Sequence, residues 1–170
     1  LCGTVASKPE KSHLNRGVQF YTMPLDVARL SGVVDRLNII LPGLIACGTP
    51  IEEGMRLCVK GQVRSYNNRS GVGSRLVISV LARQLEAWEG EDENVVCLMG
   101  VLCKSPNLRV TPLGREICDI MLAVNCNYSR ADYLPCIAWS ESARDIACMD
   151  VGDTLSITGR LQSRLYIKNE

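Results

Sequence analysis

The sequence has few aromatic residues, a single histidine and no long apolar run. Phe, Trp and Tyr together make up 5% of the 170 residues. No apolar stretch approaches the roughly 18–20 residues that a membrane-spanning helix requires, and there is no signal-peptide pattern. The lone His13 has no nucleophile or carboxylate pair in a catalytic context. We therefore expect a cytoplasmic protein that has no membrane partner and is not an enzyme.

The cysteines lack the spacing of a metal site. None forms a CxxC motif, and His13 has no ligand spacing with any of them. Their odd number argues against a complete disulfide set. Several lie in apolar, strand-like runs such as "ENVVCLMGVLC", so we expect small buried thiols in a reducing compartment, with no metal and no cofactor. The nine are Cys2, Cys47, Cys58, Cys97, Cys103, Cys118, Cys126, Cys136 and Cys148.

Charge of either sign is nearly balanced over the chain but not along it. The net charge is +1, which by itself gives little support to a nucleic-acid partner. Residues 1–90 carry 11 Lys and Arg against 7 Asp and Glu, the run "EDE" at 91–93 is acidic, and residues 94–170 carry 8 of each sign. A neutral total still permits a basic groove, because local distribution matters more than the sum.

The chain contains an internal repeat. With a shift of 97 residues, "LCGTVASKPEKSHLNRGVQFYTMPLDV" matches "LMGVLCKSPNLRVTPLGREICDIMLAV", and one residue later "EGMRLCVKGQVRS" matches "VGDTLSITGRLQS". The period is too long for a solenoid. It indicates two copies of one small domain, which we place at residues 1–89 and 95–170, joined by an acidic linker at 90–94.

Each copy has the pattern of a small all-β barrel. In the second copy, strand-like runs cover 95–102, 116–125, 133–139 and 154–162, and the helical piece "SESARDIACM" separates the last two. With a final hairpin strand, visible at 74–88 in the first copy, this is the order of a five-stranded OB barrel. We predict two tandem OB barrels. The last strand of the second is missing from the sequence, so either the chain continues or this strand is supplied differently.

The second copy resembles the bacterial single-stranded-DNA-binding protein family. The motifs are "LMGVLCKSPNLRVTPLGREICDIMLAVN", "ADYLPCIAWSESARDIA" and "VGDTLSITGRLQSRLYIK", in that family's order over residues 98–168. The resemblance implies an OB fold and sequence-independent binding of single-stranded DNA in replication, repair or recombination. It further implies a nucleoid-associated homodimer carrying four OB domains, with replication or repair proteins as further partners.

Strand alternation divides the run 133–140 into two faces. The even residues Leu134, Cys136 and Ala138 are small or apolar and suit a barrel interior, whereas the odd residues include Tyr133 and Trp139, about 20 Å apart by strand rise. From alternation alone, these rings either stack bases or pack against another barrel. The resemblance implies stacking at Tyr133, Trp139 and Tyr166, with Tyr128 near a fourth position.

Basic residues beside these aromatics are candidates for phosphate contacts. They are Lys104, Arg109, Arg115, Arg130, Arg160 and Arg164. The first copy has Arg36, Pro42 and Asn68 where the second has Tyr133, Trp139 and Tyr166. It therefore lacks the stacking residues, although Arg29, Arg36, Arg64 and Arg69 remain, and Arg36 and Arg64 are kept as candidates for phosphate contacts. Trp88 is interpreted as a packing residue.

Two other functions remain open at this stage. The first is a primosome-type assembly or protein-interaction module with weak nucleic-acid binding, which the altered face of residues 1–88 favours. The second is binding of single-stranded RNA, because stacking by itself does not distinguish RNA from DNA.

Overall fold

The structure, a computed structural model, describes residues 1–69, 76–126 and 130–163, with the backbone alone at Cys126. The described residues form mostly strands, with two short helices. The strands are β1 (Cys2–Val5), β2 (Glu10–Asn15), β3 (Val18–Ala28), β4 (Val34–Pro42), β5 (Arg56–Asn67), β6 (Leu76–Ala87), β7 (Val96–Leu102), β8 (Asn107–Val110), β9 (Glu116–Cys126), β10 (Arg130–Trp139) and β11 (Thr154–Gly159). The helices are α1 (Gly43–Gly48) and α2 (Ser140–Ala147).

The chain divides into two compact units. Unit 1 comprises residues 1–64, 78–96 and 159–170, and unit 2 comprises residues 65–77 and 97–158. The domain boundaries read from the repeat remain a prediction.

In unit 1, strands of the first copy close into a barrel. Strand β1 pairs with both β3 and β5, β3 pairs with β4, and β6 lies between β5 and β4. The contact between β4 and β6 is parallel, whereas the β1–β3, β1–β5 and β3–β4 pairings are antiparallel. Strand β2 extends the sheet beyond β3 as a hairpin. This ring of five strands is the OB arrangement, so the predicted fold class is confirmed.

The second copy repeats this order. Its sheet runs β10-β9-β7-β11, which corresponds to β4-β3-β1-β5 of the first barrel, and β8 pairs with β9 as β2 pairs with β3. A fifth strand matching β6 is not among the second copy's described residues. The third strand begins at Arg130 instead of Tyr133, because its pairing with β9 continues to Cys126, and the fourth ends at Gly159 instead of residue 162.

Two glycines show that the 97-residue repeat is structural. A Cβ on Gly3 would lie 2.3 Å from the carbonyl oxygen of Asp26, and a Cβ on Gly100 would lie 2.4 Å from that of Ala123. Both pairs are related by the same shift. The backbone of β1 therefore approaches β3, and that of β7 approaches β9, so closely that only glycine fits at these positions.

Apolar residues of alternating position form the cores. In unit 1, Leu37, Ile39 and Leu41 of β4 are buried. In unit 2, the core cluster contains Leu102, Cys118, Ile120, Ala143 and Ile146. Two residues of α2 thus contribute to this core, because Ala143 and Ile146 lie three positions apart on one helix face.

The acidic segment predicted as a linker packs within unit 1. The backbone N–H of Glu93 donates to the carbonyl of Cys2 at 3.0 Å, and that of Cys2 donates back at 2.8 Å. The Asp92 carboxylate lies 2.7 Å from the Arg56 guanidinium and accepts a hydrogen bond from the backbone N–H of Ala28. Its negative charge is therefore partly compensated by the first barrel.

The prediction of small buried thiols is wrong at Cys2 and Cys58, which are disulfide-bonded, and at the exposed residues Cys47, Cys97 and Cys148. Cys2 and Cys58 face each other in the β1–β5 register and form a disulfide. Their sequence separation of 56 residues gave no sign of this pairing, which depends on the strand register. The other cysteines whose side chains are described are free, and burial raises the pKa of the Cys136 thiol to about 11.

None of the helices in the described part of the chain has the length and apolar character needed to cross a membrane.

Candidate nucleic-acid interface

Strand β10 presents two large aromatic rings on its outer face. Tyr133 is 52% exposed and Trp139 is 43% exposed, whereas Leu134 between them is 2% exposed. Cys136 and Ala138 pack against the core cluster of unit 2. The alternation predicted from the sequence is therefore confirmed, and the six-residue separation places the two rings about 20 Å apart along the strand.

The cross-strand neighbours on β9 differ along this face. Tyr133 lies opposite Ala123, Pro135 opposite Met121, and Trp139 opposite Ile117. Alanine is too small to cover a phenol ring, and this agrees with the high exposure of Tyr133. About half of each ring of Tyr133 and Trp139 is therefore accessible to a planar ligand that stacks on it.

Arg109 occupies the same transverse row as Trp139. The register of β8 with β9 pairs Arg109 with Ile117, and the register of β9 with β10 pairs Ile117 with Trp139. Since neighbouring strands lie about 4.8 Å apart, the Cα atoms of Arg109 and Trp139 are roughly 10 Å apart. One predicted phosphate-binding residue and one predicted stacking residue are therefore brought together.

The Arg109 guanidinium is held by a carboxylate on the same face. Its Nε donates to Asp119 Oδ2 at 2.5 Å, and a terminal nitrogen donates to Oδ1 at 3.3 Å. This pairing raises the pKa of Arg109. Asp119 was not recognised from the sequence, although it lies two residues after Ile117 and hence on the same face of β9. Its carboxylate competes with any phosphate for Arg109.

The other basic candidates are distributed over several elements. Lys104, Arg115 and Arg130 are exposed and lie after β7, before β9 and at the start of β10. Arg160 is exposed and belongs to a segment of unit 1, where its charge helps to lower the pKa of Asp35. Three further predicted site residues, Tyr128, Arg164 and Tyr166, lie outside the described residues.

The corresponding face of the first barrel is occupied by an ion pair. Arg36 stands at the position of Tyr133, and its guanidinium donates to both carboxylate oxygens of Asp26, at 2.8 and 3.0 Å. Asp26 is the cross-strand neighbour of Arg36 and corresponds to Ala123. The charge of Arg36 is thus compensated by Asp26, as that of Arg109 is by Asp119, and its role as a phosphate contact remains a prediction. Arg64 is half-buried on β5.

Trp88 follows β6 and packs against its own chain. The indole Nε1 donates to the carbonyl of Glu91 at 2.8 Å, and a Cβ on Gly90 would lie 2.8 Å from the indole ring. The interpretation of Trp88 as a packing residue agrees with these contacts.

The described residues contain no group of three or more His, Cys, Asp or Glu side chains that could hold a metal ion. The outer face of unit 2 carries exposed aromatic rings, the Arg109 guanidinium and the competing Asp119 carboxylate.

Comparisons with known proteins point to one family. The Single-strand binding protein family matches residues 93–170. The single-stranded DNA-binding protein of Halalkalibacterium halodurans is 36% identical over 84 residues, which are 45% of this chain and 50% of that protein. Single-stranded DNA-binding protein B of Bacillus subtilis is 34% identical over 84 residues, which are 45% of this chain and 74% of that protein. The chain spans about half the length of the first of these relatives.

A solved structure extends the likeness to both copies. The wild-type single-stranded DNA binding protein from Thermus aquaticus superimposes with a TM-score of 0.80 and 28% identity, covering 95% of this chain and 82% of that one. The sequence family matches the second copy, and the structural match includes the first. Because the chain covers 74% of the B. subtilis protein at 34% identity, it belongs to the single-strand binding protein family.

Proposed function

We propose that this chain binds single-stranded DNA without reading its sequence. Bases stack on Tyr133 and Trp139, and phosphates are held by Arg109 with help from Lys104, Arg115 and Arg130. The observation that carries the proposal is the pair of exposed rings on β10, in a strand whose other face is core. Tyr128 and Tyr166 are further stacking candidates in this proposal, and Arg164 and Arg160 are further phosphate candidates.

Stacking suits a ligand that varies in sequence. Every base has a π-face, and a stack on an aromatic side chain contributes about 1–3 kcal/mol per base. Two rings about 20 Å apart are too distant to hold one base between them. They instead fit bases several nucleotides apart on one strand.

Electrostatic contacts supply the rest of the affinity. The exposed cations of unit 2 neutralise phosphates, which releases counterions and makes binding weaken as salt rises. In this proposal the protein acts as a homodimer with four OB barrels, and it coats single strands in replication, repair or recombination.

The proposal is tested by titrating a dye-labelled oligo-dT of about 30 nucleotides, long enough for more than one OB barrel. Fluorescence anisotropy gives the dissociation constant for the parent, Tyr133→Ala and Trp139→Ala at low and high salt. Each substitution is expected to cost about 1–3 kcal/mol of binding free energy. The control is Val151→Ala, an exposed apolar residue beyond α2, which should bind like the parent.

Parent-like affinity in both aromatic variants, with unchanged circular dichroism spectra, would show that these rings do not stack bases. The same titration with oligo-U compares RNA with DNA.

A further inference from the structure

The first barrel contains a stack of two aromatic rings. Alignment of the two sequence copies does not reveal it. The imidazole ring of His13 on β2 lies parallel to the phenyl ring of Phe20 on β3, with 4.9 Å between centroids and an interplanar angle of 5°. The stack lies entirely within unit 1. It gives the first barrel an aromatic surface, although Tyr133 and Trp139 are replaced there by Arg36 and Pro42.

The stack occupies the row that corresponds to Arg109, Ile117 and Trp139. The 97-residue shift relates Phe20 to Ile117, and Phe20 pairs with Pro42 as Ile117 pairs with Trp139. The β2–β3 register shifts between Lys11 and Leu14, and this irregularity brings His13 opposite Phe20. The aromatic rings of this row thus lie on β2 and β3 in the first barrel, and on β10 in the second.

The imidazole is held in place but open to solvent. Every residue of β2 is exposed, whereas Phe20 is half-buried. Ser12 Oγ lies 2.9 Å from His13 Nδ1, and Gln19 Nε2 donates to the carbonyls of both His13 and Phe20. One face of the imidazole covers the phenyl ring, so the opposite face is available to a further planar group.

Charge around the stack suits a nucleic-acid strand. Residues 10–17 carry Lys11 and Arg16 against the single acid Glu10. The turn between β2 and β3 has positive φ angles at Arg16 (49°) and Gly17 (78°), as a two-residue type I′ turn requires. Arg16 is therefore at the exposed tip of the hairpin.

We infer that the His13–Phe20 stack is a second nucleobase site, on which one base of single-stranded DNA stacks against the free face of His13 while Arg16 or Lys11 holds a phosphate. This inference rests on the proposed function and adds the first barrel to it. The cationic hairpin and the correspondence with the Trp139 row favour a nucleic-acid strand as the occupant. Under this proposal the two barrels bind DNA through different strands of the same fold.

The test uses the full chain and two lengths of dye-labelled oligo-dT, about 10 nucleotides for one barrel and about 40 for both. His13→Ala is expected to weaken binding of the long oligonucleotide about fivefold to tenfold, at the lower end of a stacking contribution, and to leave the short one unchanged. His13→Tyr keeps a ring and should restore long-oligonucleotide binding. Leu14→Ala, which alters the adjacent exposed side chain, is the matched control.

Ultraviolet cross-linking to oligo-dT followed by peptide mapping gives an independent readout. A thymine stacked on His13 should cross-link to the β2–β3 hairpin in the parent and not in His13→Ala. Unchanged long-oligonucleotide affinity in His13→Ala, together with no cross-link to this hairpin, would overturn the inference. In that case Trp139→Ala still weakens both oligonucleotides if the proposed function holds, so the two failures are distinguishable.

Discussion

The outer faces of the two barrels differ more than their cores do. In the second barrel, Tyr133 stands beside Ala123 and its ring is exposed. At the same positions the first barrel has Arg36 and Asp26, which form an ion pair. Core residues such as Leu37 and Leu134 are buried in both copies. The barrel can therefore exchange its outward side chains without losing its fold, since alternate residues of a strand face opposite sides.

The buried aspartates are a second point of comparison. Asp35 and Asp132 occupy equivalent positions and are 0% and 1% exposed. Asp35 accepts two hydrogen bonds from Arg29, both at 2.7 Å, and one from the backbone N–H of Ser163 at 3.1 Å. A buried carboxylate is tolerated only where such partners compensate its charge. In unit 1, Asp35 thus ties the β3–β4 turn to the segment after β11.

The largest expected effect is the difference in DNA-binding free energy between variants of the two outer faces. The double variant Tyr133→Ala/Trp139→Ala removes both proposed stacking rings and should cost roughly 2–6 kcal/mol of binding free energy, the sum of two stacks. The matched variant Arg36→Ala, at the position equivalent to Tyr133, should change binding of oligo-dT little. Anisotropy titrations measure both. Equal losses from the two variants would show that the faces contribute alike.

A smaller effect concerns stability. Asp35→Asn leaves Arg29 without its anionic partner and should lower the free energy of unfolding by about 2 kcal/mol, less than for a fully buried pair because the Arg29 side chain is 21% exposed. Thermal unfolding at neutral pH, followed by circular dichroism, measures the difference. The conservative change Asp26→Asn breaks an exposed pair and should cost much less.

The ion pair between Arg29 and Asp35 also predicts that the stability of the fold depends on pH. The Arg29 guanidinium holds the pKa of Asp35 below its ordinary value of 3.8. Its contribution is therefore fully present above that value and is lost as the pH falls through the lower, folded-state pKa. The Tm difference between the parent and Asp35→Asn should persist at pH 7 and shrink below about pH 3.8. A difference that stays constant into acid would contradict the role assigned to the carboxylate.

The smallest expected effect is a change in DNA affinity when either surface ion pair, Arg109–Asp119 or Arg36–Asp26, is broken. Asp119→Asn releases Arg109 for phosphate, so binding of oligo-dT should tighten by about 0.5–1 kcal/mol. The plot of log K against log salt should become steeper by about 0.7, the value for one additional phosphate contact on a single strand. Asp26→Asn releases Arg36 in the same way and serves as the control. An equally steeper slope for Asp26→Asn would assign Arg36 to the DNA-binding surface.

Much of the fold followed from local pattern. The repeat, the element order and the inward positions of Leu134, Cys136 and Ala138 could be predicted because a strand repeats its environment every two residues. The exposed rings of the candidate site followed from the same rule. Asp119 could have been found too, since its parity on β9 equals that of Ile117.

Contacts across strands could not be predicted in the same way. Arg36 and Asp26 become partners only once β3 and β4 adopt their register, and a slip of one residue would move each side chain to the other face. The disulfide between Cys2 and Cys58 depends on the pairing of β1 with β5. From the sequence, the odd number of cysteines and the apolar runs around several of them predict buried free thiols instead.

The sequence by itself determined that there are two all-β copies and that one of them has aromatic residues on an outward face, because both properties reside in residue type and spacing. Only the tertiary structure decided which charges are compensated, where Arg109 lies relative to Trp139, and that an irregular register stacks His13 on Phe20. Each of these features depends on the register in which neighbouring strands pair, because that register decides which side chains lie opposite one another.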